Sequence, residues 1–272
     1  MFWLIPAILL PLAGLAVYVP RRTTGHMRSA LLIKCALSVG FILYALFAAY
    51  HGVNLGILAN PGAAASGFDR GATPVLLIPW AVGLTLLTIA GMVFALLGDV
   101  WLDLKDTHLE QQKFYMFCGF SCFMICHLFF IVAMAMNYAL PHWAWPVALA
   151  FGLLVAAFNI VTERPMGMDF GVYRWIVTVY SFIIGTATVL PWAYAIHIWR
   201  TPGHTLQPAV FAVGMLLFLL SDLVLSQIYF NKDREKANRR INYILNYLFY
   251  FGGQYTLALS LWFLPYPGLP IQ

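Results

Sequence analysis

Charge is what this chain has least of. Asp, Glu, Lys and Arg make up 9% of its 272 residues, where a soluble domain carries about a quarter. So low a charge excludes a soluble globular enzyme, and it also excludes a disordered chain, whose polar composition is the reverse. Four cysteines are too few for a disulfide-stapled secreted module, and the 21 glycines show no collagen-like period. What is present is apolar: 62% of residues are hydrophobic and 16% aromatic. At about 20 apolar residues per helical crossing, the composition describes a membrane protein whose work is done in the bilayer.

Apolar runs long enough to cross hydrocarbon occur at 2–19, 29–51, 75–102, 113–137, 144–161, 171–199, 208–230 and 240–264. They predict an all-α polytopic bundle of eight transmembrane helices forming one domain over 1–272. The first run follows Met1-Phe2-Trp3 with no basic segment and no small-residue cleavage pattern, so it reads as a retained helix. The sixth contains Pro191, which leaves open one kinked helix or a helix followed by an interfacial piece. Thirteen Lys and Arg residues fall in the odd-numbered connections and their flanks, against Arg70 and Arg200 in the even ones. That asymmetry predicts odd loops in the cytoplasm and both termini on the opposite side. It also accounts for the net charge of +5 without a nucleic-acid partner. The connection 52–74, rich in Gly, Ala and Ser, reads as a flexible loop, and 231–236 as a solvated one.

Ionisable groups at membrane depth are costly unless they face the protein interior, and each is by default a functional candidate. Asp99 closes the third run and Asp222 lies within the seventh, roughly 12 Å from its end at 1.5 Å per residue. Lys34 stands at a comparable level in the second run. Simpler readings exist: Asp99 as an interfacial charge, Asp222 as an ion-paired structural group, Lys34 snorkelling to the interface. Asp103, one turn after Asp99, is expected to be solvated. His127 sits mid-run in the fourth segment, one residue after a Cys118, Cys122, Cys126 stripe but about 100° away from it. No second ligand accompanies it, so no metal is expected. In the eighth run Asn242, Asn246, Tyr250 and Gln254 recur every fourth residue and form a polar stripe that must face protein or water. Together these groups can line one polar cavity toward the cytoplasmic leaflet.

Gly98-Asp99, then Gly119, Phe123 and His127, then Gly214, Phe218, Ser221 and Asp222, then Tyr250 and Gln254 occur in an order and on helices that resemble the YhhN-type lysoplasmalogenase family. The resemblance implies an eight-helix membrane hydrolase that cleaves the vinyl ether of lysoplasmalogen to a fatty aldehyde and glycerophosphocholine or glycerophosphoethanolamine. It implies Asp99 and Asp222 as the catalytic acids, with His127, Tyr250 and Gln254 also in the site. The membrane would be a bacterial cell membrane or the endoplasmic reticulum. The chain departs from the pattern at Lys34-Cys35, where members often have Lys-Pro, and at Phe130, where a Tyr is common.

The chemistry suits the residues. A vinyl ether hydrolyses by protonation at its β-carbon, capture of the oxocarbenium ion by water, and collapse of the hemiacetal. That calls for one carboxylic acid and one carboxylate. Asp222, the deeper residue, is assigned the acid and Asp99 the base, with the reverse open. Lys34, His127, Ser221, Asn246, Tyr250 and Gln254 are expected to bind substrate. Lysophospholipid and bilayer lipids are the only partners implied, and the reaction needs no cofactor. The competing class is a proton-coupled lipid or small-molecule transporter using the same acids.

Overall fold

A computed structural model of the chain describes residues 4–59, 78–199 and 205–264. Among them are eight long helices: α1 (Leu4–Thr23), α2 (Met27–Ala59), α3 (Ile78–Leu104), α4 (Gln112–Asn137), α5 (Ala144–Thr162), α6 (Arg174–Ile198), α7 (Gln207–Phe230) and α8 (Arg240–Ser260). A one-turn helix, Arg234–Ala237, precedes α8, and no strand occurs among the described residues. The expectation of an all-helical protein is met. Six of the helices, α2 to α7, are long and apolar enough to cross a membrane, which makes this a multi-pass integral membrane protein. α8 stands apart because four tyrosines and its amide stripe dilute its apolar residues.

Two boundaries differ instructively from the sequence reading. α2 runs eight residues past the expected end at 51, because 52–59 remains mostly apolar and proline-free. The rest of the supposed 52–74 loop, with Asp69 and Arg70, lies outside the described residues, as does Arg200. The sixth run is a single helix with Pro191 inside it, preceded by a 3₁₀ turn at Gly171–Tyr173, so no interfacial piece follows.

The helices alternate in direction. At one end Arg22 in the last turn of α1 binds Asp106 after α3, while the connections after α5 and α7 pair through Met168 and Asn231. At the other end the Tyr138 hydroxyl donates to Gln207, whose amide donates to Ser260 at 3.3 Å. The strongest packing joins α3 to α4, α7 to α8 and α5 to α6, and α8 also lies along α2 and α1. α5 packs extensively on α6 alone.

α7 and α8 meet through bare backbone. A Cβ on Gly253 would stand 2.9 Å from the Gly214 carbonyl oxygen and 3.1 Å from the Phe218 nitrogen, closer than such atoms approach. Only glycine permits this crossing, and the crossing sets the spacing of Ser221 and Asp222 from α8. Gly253→Ala is expected to destabilise the protein by about 1–3 kcal/mol. Gly252→Ala, whose Cβ would meet only Leu217 at 3.8 Å, should be neutral or slightly stabilising, since alanine is the better helix former by roughly 1 kcal/mol. Unfolding of the two variants in detergent, side by side, checks this.

Candidate active site

Lys34, Ser38 and Cys35 lie in the first third of α2, and the four-residue spacing of Lys34 and Ser38 puts both on one face. That face meets the end of α3. The Lys34 ammonium is 2.8 Å from Asp99 Oδ1 and 3.6 Å from Asp103. Asp99 is 1% exposed. Its Oδ2 accepts from Ser38 Oγ at 3.0 Å and from the Tyr250 hydroxyl at 2.6 Å. An ammonium and two hydroxyl donors thus converge on one carboxyl group. Asp103 is 2% exposed. The expectation of a solvated Asp103 is therefore corrected: the turn that places it under Asp99 also directs it onto the same lysine.

Asp222 meets different company. The Tyr180 hydroxyl of α6 donates to it, and the same hydroxyl lies 3.2 Å from His127 Nε2. Asp222 lines a cavity between α4, α5, α6 and α7, whose walls are mainly apolar: Phe120, Phe123, Val155, Ile184 and Leu219 among them. Asn159 and Ser181, joined at 2.6 Å, are among its polar spots, with Ser226, Tyr180 and Tyr229. The Asp222 residue is partly accessible through this cavity, whereas Asp99 is sealed. Depth along the helix and enclosure therefore rank the two acids in opposite orders.

Aromatic rings join the two groups. Gly98 lets the Phe123 ring lie against α3, since a Cβ there would fall 2.7 Å from it. Phe123 meets Phe218 and Tyr250 edge to face, and Phe218 meets Tyr250 at 5.3 Å and His127 at 4.7 Å between centroids. Tyr250, bonded to Asp99, and His127, one hydroxyl away from Asp222, flank the same Phe218 ring, which makes the two carboxyl groups neighbours.

Of the residues named from sequence, the structure brings Lys34, Asp99 and Tyr250 into direct contact, and places His127 one hydroxyl away from Asp222. Ser221 and Asn246 bind one another instead, with Asn246 Nδ2 at 2.9 Å from Ser221 Oγ, and tie α7 to α8. Gln254 is fully buried, and neither of its amide atoms has a hydrogen-bond partner among the described residues. Asn242 caps backbone carbonyls of Lys236 and Ala237 at the end of the stripe. Sequence reasoning missed Tyr180, Ser181, Asn159 and Ser38. Ser38 had a signal, its four-residue spacing from Lys34. Tyr180-Ser181 had a weaker one, a polar pair in an apolar run.

The model of one protein family, the YhhN family, matches residues 70–261. The chain belongs to the YhhN family. The matched segment contains both aspartates, His127, Tyr180 and the α8 stripe, while Lys34 and Ser38 lie before it. No curated protein and no solved structure matches the chain. In this YhhN protein the glycines of the sequence pattern are contact points: Gly98 admits Phe123 and Gly214 admits α8.

Lys34 is the only cation in contact with Asp99 among the described residues. Lys34→Met should therefore cost about 3–5 kcal/mol, the range for breaking a buried ion pair by removing one partner. Adding Asp99→Asn to that variant should recover part of the loss, because the orphaned charge is gone. Denaturant unfolding of the single and double variants measures both terms.

Proposed function

We propose that this YhhN-family protein is a membrane-embedded hydrolase that cleaves the vinyl ether bond of lysoplasmalogen, releasing a fatty aldehyde and glycerophosphocholine or glycerophosphoethanolamine. The observation that carries the reading is the unlike environment of two neighbouring carboxyl groups: Asp99 matched to an ammonium and two hydroxyls, Asp222 facing an apolar cavity with a phenol as its neighbour. Environments that differ in this way divide acid and base roles between two carboxyls.

In this reading the alkenyl chain occupies the apolar cavity with its vinyl ether at Asp222. The Asp222 carboxylic acid transfers its proton to the β-carbon. With the Phe123, Phe218 and Tyr250 rings parted to connect Asp99 to the cavity, the oxocarbenium ion that results is stabilised by the Asp99 carboxylate, and water adds to the α-carbon as its proton passes to Asp99. When the hemiacetal collapses, its hydroxyl proton returns to Asp222 as the carbonyl forms, and Asp99 hands its proton to the departing glycerol oxygen. Both acids end as they began. Tyr180 positions the Asp222 carboxyl and links it to His127. Gln254, with free amide donor and acceptor groups, is available to a polar ligand, as are Ser221 and Asn246 if their mutual bonds open. Lys34 acts through Asp99, to which its ammonium is paired at 2.8 Å.

The same reading has all eight helices crossing the bilayer, with the basic ends in the cytoplasm and both termini on the other side. Asp99 and Asp222 then lie in the cytoplasmic half, reached from that leaflet by a single-chain lipid.

Detergent-purified protein given 1-alkenyl lysophospholipid should release fatty aldehyde, detectable by mass spectrometry, and should leave the saturated 1-alkyl analogue intact. Asp222→Asn and Asp99→Asn should each lower turnover by about 10²–10⁴, the usual contribution of a general acid or base. Folded protein that releases no aldehyde, or amide variants that keep near-full turnover, would overturn the reading. Proton-coupled uptake into liposomes without lipid cleavage would replace it with the transporter.

A further inference from the structure

A second cavity opens at the basic end of the bundle beside the first. Its character is the opposite. Arg22, Lys105, Arg234 and Asp106 line it, with Gln112, Asn238 and Tyr243 among the other polar groups. Asp106 is shared: Arg22 binds one oxygen and the Lys105 ammonium lies 2.7 Å from the other. The Lys105 and Arg22 side chains are each only 6% exposed. Arg234 contacts backbone carbonyls at the end of α7, at 3.4 Å from those of Tyr229 and Asn231, and no carboxylate. Three cations line the recess against one lining carboxylate, Asp106, with Asp103 the other acidic group that acts on Arg22 and Lys105; the excess of positive charge in a polar recess favours an anion. Burial opposes ionisation of Asp106, but the Lys105 ammonium and the Arg22 guanidinium outweigh it and hold that carboxyl below its usual range.

The two cavities share one residue, Tyr229. Its ring faces the Lys105 ammonium at 4.2 Å on the polar side. Tyr229 stands seven residues after Asp222 on α7, hence on the same helix face and roughly 10 Å further toward the basic end. The acid, a shared aromatic wall and a cationic recess thus follow one another along α7, in the order linkage, glycerol, phosphate of a lysophospholipid.

We propose that the recess formed by Arg22, Lys105 and Arg234 binds the phosphate of a lysophospholipid head group while the chain lies in the cavity beyond Tyr229. The proposal rests on the functional reading above for the kind of lipid, but its test does not require turnover. The full-length protein in detergent is titrated with two uncleavable probes, a 1-alkyl lysophosphoethanolamine and the corresponding 1-alkylglycerol without phosphate, and with inorganic phosphate as competitor. Wild type should bind the phosphorylated probe at least tenfold more tightly than the alkylglycerol.

Lys105→Gln should weaken the phosphorylated probe by roughly ten- to hundredfold, the range for one charged hydrogen bond, with alkylglycerol binding unchanged. Because Lys105→Gln alters the partners of Asp106, Arg234→Gln serves as the second variant: its side chain is exposed and touches no carboxylate, and it should weaken the same probe selectively. Asp106→Asn should not weaken that probe. Equal binding of the two probes to wild type, or a phosphate preference that survives in both cation variants, would overturn the proposal. Inorganic phosphate that binds as tightly as the phosphorylated probe would assign the recess to soluble phosphate and overturn its lipid ligand. Aldehyde release with an unaltered phosphate preference in the variants would refute the recess and spare the hydrolase. Selective probe binding without aldehyde would do the reverse.

Discussion

An ammonium group held among helices loses its hydration, a loss of several kcal/mol per ion even after the protein relaxes, and the interior around Lys34 is organised to offset it. Asp99 and Asp103 supply the opposing charge from successive turns of α3, and Ser38 and Tyr250 occupy the second oxygen of Asp99. The cluster therefore draws on α2, α3 and α8 at once. Removing it would not merely delete a contact; it would leave those helices without the polar agreement that fixes their rotation about their own axes. The polar stripe of α8 has the same origin. Three of its four residues, Asn242, Asn246 and Tyr250, find partners on the one-turn helix, α7 and α3 because lipid offers none.

Close packing does the remainder. Hydrophobicity alone gives little preference between one helix face and another when lipid is as apolar as leucine, so contact geometry decides. Gly253 against Gly214 and Gly98 against Phe123 bring α7 to α8 and α3 to α4 at distances a larger residue would forbid. Those same crossings bring Phe123, Phe218 and Tyr250 into one edge-to-face cluster. The aromatic cluster then keeps the Asp99 side sealed while Asp222 remains open to its cavity. Two carboxyl groups close enough to feel one another are thereby given different neighbours.

The helices were legible in the sequence because a membrane span announces itself by composition over 20 residues, and the alternation of basic loops followed from position alone. The exception was the tail of α2, where glycine and alanine imitate a loop yet the helix continues. Asp99, Asp222 and His127 were legible as polar residues out of place. Their partners were not. Tyr180 reaches Asp222 across 42 positions of sequence, and a tyrosine in an apolar run is unremarkable until the neighbouring helix is known. Asp103 was misjudged because a carboxylate near a helix end ordinarily meets water; here the lysine from another helix meets it first. Gln254 and Asn246 read alike in the stripe, but Asn246 binds Ser221 while Gln254 has no hydrogen-bond partner among the described residues, a distinction that only packing could draw.

α5 is fastened along one side only, to α6, where Gly185 would place a Cβ 2.9 Å from Gly152 Cα. Its outer face carries Leu149, Leu153, Leu154, Phe158 and Val161, while Val155 and Asn159 form part of the cavity wall. The chamber beside Asp222 is thus separated from the surrounding lipid by a single helix with one strong attachment. Under the proposed reaction the two products differ in solubility: the aldehyde belongs in the bilayer and the glycerophosphodiester in water. A thin sideways wall and a polar recess at the basic end would give each its own exit. Products that part into different phases do not meet again, so the cleavage would run forward with little back-reaction even without any energy source.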